Sequence, residues 1–193
     1  MAESLHRQSA LERVGEIIIG WTVSRALYVA AELGVADLLA SGPKSVTELA
    51  SAVSAHPRSL YRLLRMLASE GIFAETADGS FELTESGALL RSRFPRDFAR
   101  MFGDADWNGF GALLHNIKTG QPAFNHVHGV GFFEYLKAHP EAQERFDRGL
   151  ANGVSAENPL IAAAYDFSRY RRIVDVVGGK GGFLAEVLKA HKV

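Results

Sequence analysis

The chain has no cysteine in its 193 residues. Disulfides and thiolate metal sites are therefore excluded, and a reducing compartment, the cytoplasm, is the expected setting. It also lacks an excess of charge of either sign. Lys and Arg number 21 against 22 Asp and Glu, for a formal net charge of -1, so no global field draws it to nucleic acid or to an anionic membrane. The segment from Met1 to Val14 has no signal-peptide core, because Glu3, His6, Arg7, Glu12 and Arg13 crowd its few apolar residues. The most apolar stretch, Ile17 to Ala31, is interrupted by Gly20, Ser24 and Arg25. It reads as too short and too polar for a bilayer, which needs roughly 20 apolar residues. Internal repeats and low-complexity tracts are absent, as are Gly-x-Ser-x-Gly and His-Glu-x-x-His patterns.

What is present is an ordinary globular composition, 47% hydrophobic and 22% charged, enough to build a core. Val14, Ile17, Ile18 and Trp21 have helical spacing, and Ile19, Val23, Leu27 and Ala30 mark a second apolar face of the same helix. A helix apolar on two faces needs cover on both, one from its own domain and one from a second copy. Gly34 ends it. Ser45-Val-Thr-Glu48 is a capping box opening a short helix to about Val53. Pro57 opens the next, with Leu60, Leu63, Leu64 and Leu67 on one stripe before Gly71 stops it. Two short strands, residues 72–75 and 80–84, flank Asp78-Gly79, a two-residue hairpin signal. Another helix follows from Thr84. Helix, helix, helix, hairpin is the order of a winged helix-turn-helix.

From Pro95 to Tyr170 the pattern is mostly helical, with Phe132, Phe133, Tyr135 and Leu136 as an aromatic core cluster. It changes at Arg172. Ile173-Val-Asp-Val-Val177 reads as a strand buried on both faces, Gly178-Gly-Lys-Gly-Gly182 as a loop, and Phe183, Leu184, Val187 and Leu188 as a helix. Strand, glycine loop, helix opens a nucleotide-binding α/β domain. Glycines let the backbone approach a ligand closely, and the helix N-terminus behind them offers free N–H groups. By itself such a loop is shared by many nucleotide binders, and its plain alternative is a strand-to-helix turn.

Other candidates carry less. His126-Val-His128 would put both rings on one face of a strand, a possible metal pair, but no further ligand lies nearby in sequence and polar loop residues are the simpler reading. Asp104 and Asp106 could form a carboxylate pair, but a solvated loop before Trp107 is the simpler reading. Arg58, Arg62 and Arg65 share one face of the second helix of the helix-turn-helix, which raises a DNA-binding regulator as the rival reading. Against it, the hairpin carries Glu75, Asp78, Glu82 and Glu85 and no Lys or Arg, a sign that phosphates repel. The arginines are expected to be solvated or paired with carboxylates.

Taken together, these segments resemble the S-adenosylmethionine-dependent O-methyltransferases that include the plant caffeate-type and bacterial polyketide-tailoring enzymes. Residues 26–39 are similar to that family's first long helix. Leu60-Tyr-Arg-Leu-Leu-Arg65 with Gly71-Ile-Phe73, Leu83-Thr84 and Gly87 resembles its winged-helix segment, and Gly120-Gln-Pro-Ala-Phe124 and residues 132–136 its linker helices. Val174-Asp-Val-Val-Gly-Gly-Lys-Gly181 is similar to its first cofactor motif. The resemblance implies a mainly α chain with a small β wing: a winged-helix dimerisation domain over 1–95, a helical linker over 96–170, and over 171–193 the first strand, loop and helix of a Rossmann-like domain. It implies S-adenosyl-L-methionine as cofactor, held by Asp175, Gly178, Gly179 and Gly181, with the Asp175 carboxylate on the cofactor's ammonium group. Val177 departs from the motif, standing where the family has its first glycine. The implied partners are a second copy, through the N-terminal helices, and a small phenolic or polyketide acceptor, with no nucleic acid and no membrane. The family's catalytic histidine and its ribose-binding acidic residue fall beyond Val193, and His191 is not in their context. No residue here takes the catalytic role, and the chain is expected to be an N-terminal portion, inactive alone.

Overall fold

The computed structural model describes residues 2–154, 157–176 and 178–191. They fall into two compact units, Met1–Ser92 and Arg93–Val193.

The first unit opens with α1, Ala2–Glu32. Gly34, left-handed at φ 67°, turns the chain into α2, Val35–Leu38, and a 3-10 turn over Leu39–Ser41. The first strand, β1 (Lys44–Ser45), leads directly into α3, Val46–Ala52. The expected capping box is formed: the Glu48 N–H donates to the Ser45 hydroxyl, and the Ser45 N–H donates to the Glu48 carboxylate at 2.9 Å. The Ser45 hydroxyl and N–H together hold the Glu48 carboxyl below its ordinary pKa. Helix α4, Pro57–Ser69, starts on its proline and buries Leu60, Leu64 and Leu67. Strands β2 (Phe73–Glu75) and β3 (Ser80–Leu83) follow, then α5, Glu85–Leu89. The sheet order is β1-β3-β2, antiparallel throughout, with Lys44 opposite Phe81 and Phe73 opposite Leu83.

Three details go beyond or against the sequence reading. The two residues of β1 were not visible in it, since their side of the sheet is also the N-cap of α3. The hairpin closes over a three-residue loop, 77–79, not a two-residue turn: Thr76 N–H donates to Ser80 C=O, Gly79 N–H to Thr76 C=O, and Gly79 takes φ 78°. That is the Gly-dependent three-residue hairpin connection. Thr84 fixes the return of the chain. Its hydroxyl donates to Ile72 C=O at 2.7 Å and accepts from the Gly87 N–H at 3.0 Å, and a Cβ on Gly87 would collide with that same Ile72 carbonyl.

The core of this unit gathers Ala26, Ala30, Val35, Leu39, Leu49, Leu60, Leu64, Leu67, Phe73 and Phe81. Burying a large apolar side chain of this kind stabilises by about 1.5–3 kcal/mol. Only the C-terminal third of α1 takes part. Leu27 packs on the core, so the expected second face of the helix is covered by the chain itself from Ala26 onward. Val14, Ile17, Ile18, Ile19 and Trp21 are all more than half exposed. The uninterrupted helix also corrects the expectation of no membrane-length stretch: Ser9–Glu32, 24 residues, is long and apolar enough to cross a bilayer by length and composition. Gly15 and Gly20 do not break it, which is why it outruns the 17–31 stretch read from sequence.

The second unit is helical: α6 (Arg93–Met101), α7 (Asp104–Gly111), α8 (Leu113–Thr119), α9 (Ala123–His128), α10 (Phe132–Ala138), α11 (Pro140–Val154), α12 (Asn158–Ala164) and α13 (Gly182–His191). Helices α6 and α11 approach closely because α11 presents glycines. A Cβ on Gly149 would press on Met101 and on the Asp97 carbonyl, and one on Gly153 would press on the Phe98 ring. The Asn152 amide donates to Asp97 across this seam at 2.7 Å. The aromatic cluster expected around 132–136 is present, with Phe124, Phe132, Phe146 and Tyr135 in edge contacts and Leu136 buried, although Phe133 is 63% exposed.

Candidate functional site

The expected strand at Ile173–Val177 is not formed over residues 173–176, and Val177 lies outside the described residues. A strand takes its hydrogen bonds from neighbours, and no strand lies beside this segment among the described residues. Val174 and Val176 are accordingly 75% and 80% exposed. The loop and helix after it are formed. Gly179 and Gly181 are left-handed at φ 56° and 76°, a backbone conformation that favours glycine. The Gly181 N–H donates to Gly178 C=O at 2.8 Å and closes the turn, and the Ala185 N–H donates to Gly181 C=O as α13 begins.

Asp175 points back onto this loop. A Cβ on Gly178 would press on its carboxylate, so a side chain there would have to push Asp175 aside. Asp175 Oδ2 is fully enclosed and has no hydrogen-bond partner among the described residues. An enclosed carboxylate oxygen without a donor is costly, and a cationic or N–H-bearing ligand group would relieve that cost.

The loop forms one side of a cavity of about 330 Å³. Asp175, Gly178, Gly179 and Lys180 line it from the loop, Asp147, Leu150 and Ala151 from α11, and Asn158 from the start of α12. Lys180 Nζ lies 3.3 Å from Asp147 Oδ2, and the Gln143 amide donates to the other Asp147 oxygen at 2.9 Å. Helix α13 is seated on α12 by the buried pair Val187 and Ala162 and by His191, whose Nε2–H donates to Ala162 C=O at 2.9 Å. His191 is thus an anchor of the helix. Of the four residues expected to hold a ligand, Asp175, Gly178 and Gly179 line the cavity and Gly181 shapes the turn beneath it. Asp147 and Asn158 escaped the sequence reading, because nothing in their own neighbourhood marks them. Lys180 sits inside the glycine run and could have been read from it.

The other candidates resolve differently. His126 and His128 are on helix α9, not on a strand or in a loop. His126 stacks on His115 at 3.8 Å, and the His128 Nε2–H donates to Ala105 C=O at 3.0 Å. Among the described residues no three His, Cys, Asp or Glu side chains gather as a metal site. Asp104 and Asp106 occupy the first turn of α7 rather than a loop, where helix N–H groups favour carboxylates. Burial nonetheless raises the Asp106 pKa. On α4, Arg65 lies 3.8 Å from Glu75 of the hairpin, and Tyr61 donates to the same Glu75 at 2.9 Å, which raises the Tyr61 pKa.

Comparison with known proteins matches both units. Residues 16–93 match the O-methyltransferase dimerisation domain, and residues 110–192 match the O-methyltransferase domain. A phenazine O-methyltransferase of Lysobacter antibioticus is 39% identical over 179 residues, which are 91% of this chain and 52% of that protein. Among solved structures, a mitomycin 7-O-methyltransferase superposes with a TM-score of 0.87 at 36% identity, covering 98% of this chain and 57% of that one. An O-methyltransferase from neocarzinostatin biosynthesis, in complex with S-adenosyl-L-homocysteine and 1,4-dihydroxy-2-naphthoic acid, does so with a TM-score of 0.75 at 39% identity, covering 88% of this chain and 53% of that one. The chain spans about half the length of the curated relatives it matches.

Proposed function

The chain belongs to the O-methyltransferase family, and on that premise we propose that it carries the dimerisation part and the cofactor-entry loop of an enzyme that methylates a hydroxyl on a small aromatic or polyketide-like compound. The cofactor is S-adenosyl-L-methionine, which when bound supplies an electrophilic methyl group on a sulfonium. The observation that carries this reading is the enclosed Asp175 Oδ2, without a hydrogen-bond partner among the described residues, packed against Gly178 of the glycine loop. A carboxylate placed there suits the ammonium group of the cofactor's methionyl end. Gly178, Gly179 and Gly181 let the backbone come close to it, and the start of α13 presents free N–H groups. Lys180 and Asp147 close the cavity on the α11 side.

The residues of this chain bind and position. Turnover also needs a base to take the acceptor's hydroxyl proton as its oxygen attacks the methyl group, and we assign that role to none of the residues described here. The purified 193-residue chain is accordingly expected to bind cofactor without methylating a phenol. In the first unit, α3, α4 and the β2–β3 hairpin read as a winged helix used for dimerisation. The engagement of Arg65 and Tyr61 by Glu75 supports that use over DNA contact, because it commits part of the basic face to a carboxylate. The exposed apolar residues of α1 from Val14 to Trp21 are the surface a second copy would cover.

Isothermal titration of the full chain with S-adenosyl-L-homocysteine tests the cofactor assignment. Saturable one-site binding is expected, weakened about tenfold or more by Asp175→Asn, since a hydrogen bond to a charged group is worth about 1.5–3 kcal/mol. Equal affinity in the variant would remove Asp175 from the site.

A further inference from the structure

The second unit carries an apolar stripe that faces outward. Phe110, Leu113, Leu114 and Ile117 recur at spacings of i, i+3, i+4 and i+7 across the end of α7 and α8, two helices separated by the single residue Ala112. That is the pattern of a helix face that packs on something. Here it is bare: Phe110 is 65% exposed, Leu113 49%, Leu114 64% and Ile117 73%. A cavity of about 220 Å³ adjoins the stripe, walled by Phe110, Leu113 and Phe124 together with Asp106 and Asn116. The surface therefore offers a socket as well as a ridge. Among the described residues only α1 presents another helical run of large apolar side chains this exposed.

Helix α1 has more apolar surface than one neighbour can cover. Ile17, Ile18 and Ile19 are consecutive, so at about 100° per residue they span about 200° of the helix circumference. Each is more than half exposed. One packed neighbour covers a stripe of roughly 100°. A seam of α1 on the α1 of a second copy therefore leaves part of this triplet in water. Area gives the same answer. Large apolar side chains present roughly 60–120 Å² each. The exposed ones of α1, Leu11, Val14, Ile17, Ile18, Ile19 and Trp21, fall short of the roughly 800 Å² per partner of a stable interface. With the α7–α8 stripe added, the total reaches it. The two faces also match in length: Val14 to Trp21 and Phe110 to Ile117 are equal steps in sequence, about 10 Å of helix.

We propose that the α7–α8 stripe receives α1 of a second copy. Each protomer lays the part of its first helix that the partner's α1 leaves open against Phe110, Leu113, Leu114 and Ile117 of the other. Under a twofold axis the exchange is reciprocal. The proposal rests on the reading above that a second copy covers α1, and extends it. The match to the dimerisation domain ends at residue 93, so the interface reaches into the segment that matches the O-methyltransferase domain, 110–192.

Two measurements on the full chain test it. The first is sedimentation equilibrium of the unaltered chain, of Ile18→Glu and of Leu114→Glu/Ile117→Glu. The double variant is expected to weaken the dimer about tenfold or more, with its melting as a protomer nearly unchanged because both side chains are exposed. The second uses the absence of native cysteine. An Ile117→Cys chain is mixed with size-tagged Ile17→Cys, Ile18→Cys and Ile19→Cys chains in turn, and each mixture is treated with a short bismaleimide. A cross-link between the two chains is expected for at least one of the three. Ile117→Cys chains that link only to each other would overturn the proposal. So would a dimer weakened by Ile18→Glu and untouched by the double variant; the α1 seam would then stand and the stripe would belong to another occupant. An unaltered chain that sediments as a monomer would remove both this proposal and the reading of α1 beneath it.

Discussion

The two units treat their apolar residues differently. In Met1–Ser92 the helical stripes and the hairpin close on one another, and Leu49, Leu64, Leu67, Phe73 and Phe81 are almost fully buried. In Arg93–Val193 the buried apolar side chains among the described residues are Leu136, Ala162 and Val187, while Phe110, Leu114, Ile117, Leu160, Val174 and Val176 are half or more exposed. The first unit is held by a core. The second is held by seams between helix pairs, α6 on α11 and α12 on α13, where glycine or alanine allows close approach. A seam positions a cavity wall well but gives less burial per residue. The cavity at the glycine loop lies in this second, seam-built unit.

This difference predicts that substitutions separate the units. Phe81→Ala, at the centre of the sheet and in edge contact with Tyr61, should cost about 3–5 kcal/mol. In hydrogen exchange, protection should fall throughout α3, α4 and the hairpin and persist in α11 and α13. Collapse of both regions together would show that the units are one cooperative body. Gly149→Val should act the other way. Branched bulk against Met101 and the Asp97 carbonyl should cost about 1–3 kcal/mol, read as lost protection in α6 and α11 with the first unit unchanged. An unaffected α6 would mean the seam is not as tight as the glycine contacts indicate. The mildest change is Ile18→Glu, on the part of α1 the chain leaves uncovered. It should leave the melting of an isolated protomer nearly unchanged and shift sedimentation from dimer to monomer. A variant that remains a dimer would move the self-association surface off this helix.

The same contrast explains what was legible in the sequence. Signals that close locally were read correctly: the Ser45–Glu48 box, Pro57 at a helix start, Gly34 and Gly71 at helix ends, and the glycine run ahead of α13. Each is satisfied by atoms within a few residues. Features that depend on distant partners were misread or missed. The hydrophobic run at Ile173 signals a strand, but a strand needs neighbours that no local pattern supplies. Strand β1 exists because Lys44 meets Phe81, and neither residue announces the other. His126 and His128 read as strand or loop residues because helix α9 is only six residues long and carries little periodicity. Within the candidate site, Asp175 and its glycines are contiguous, so a local pattern marks them. Asp147 and Asn158 reach the same cavity from two other helices and were not. The family resemblance was readable because it rests on many such local segments in a fixed order.

The central claim is that the loop from Asp175 to Gly182 is a cofactor cradle built before the ligand arrives. Hydrogen exchange on the full chain, with and without saturating S-adenosyl-L-homocysteine, tests it most directly. The account predicts slowed exchange confined to residues 175–185 and to the segment of α11 around Asp147, with the first unit unchanged and the effect lost in Asp175→Asn. Unchanged exchange across that loop, or protection appearing only elsewhere, would contradict it.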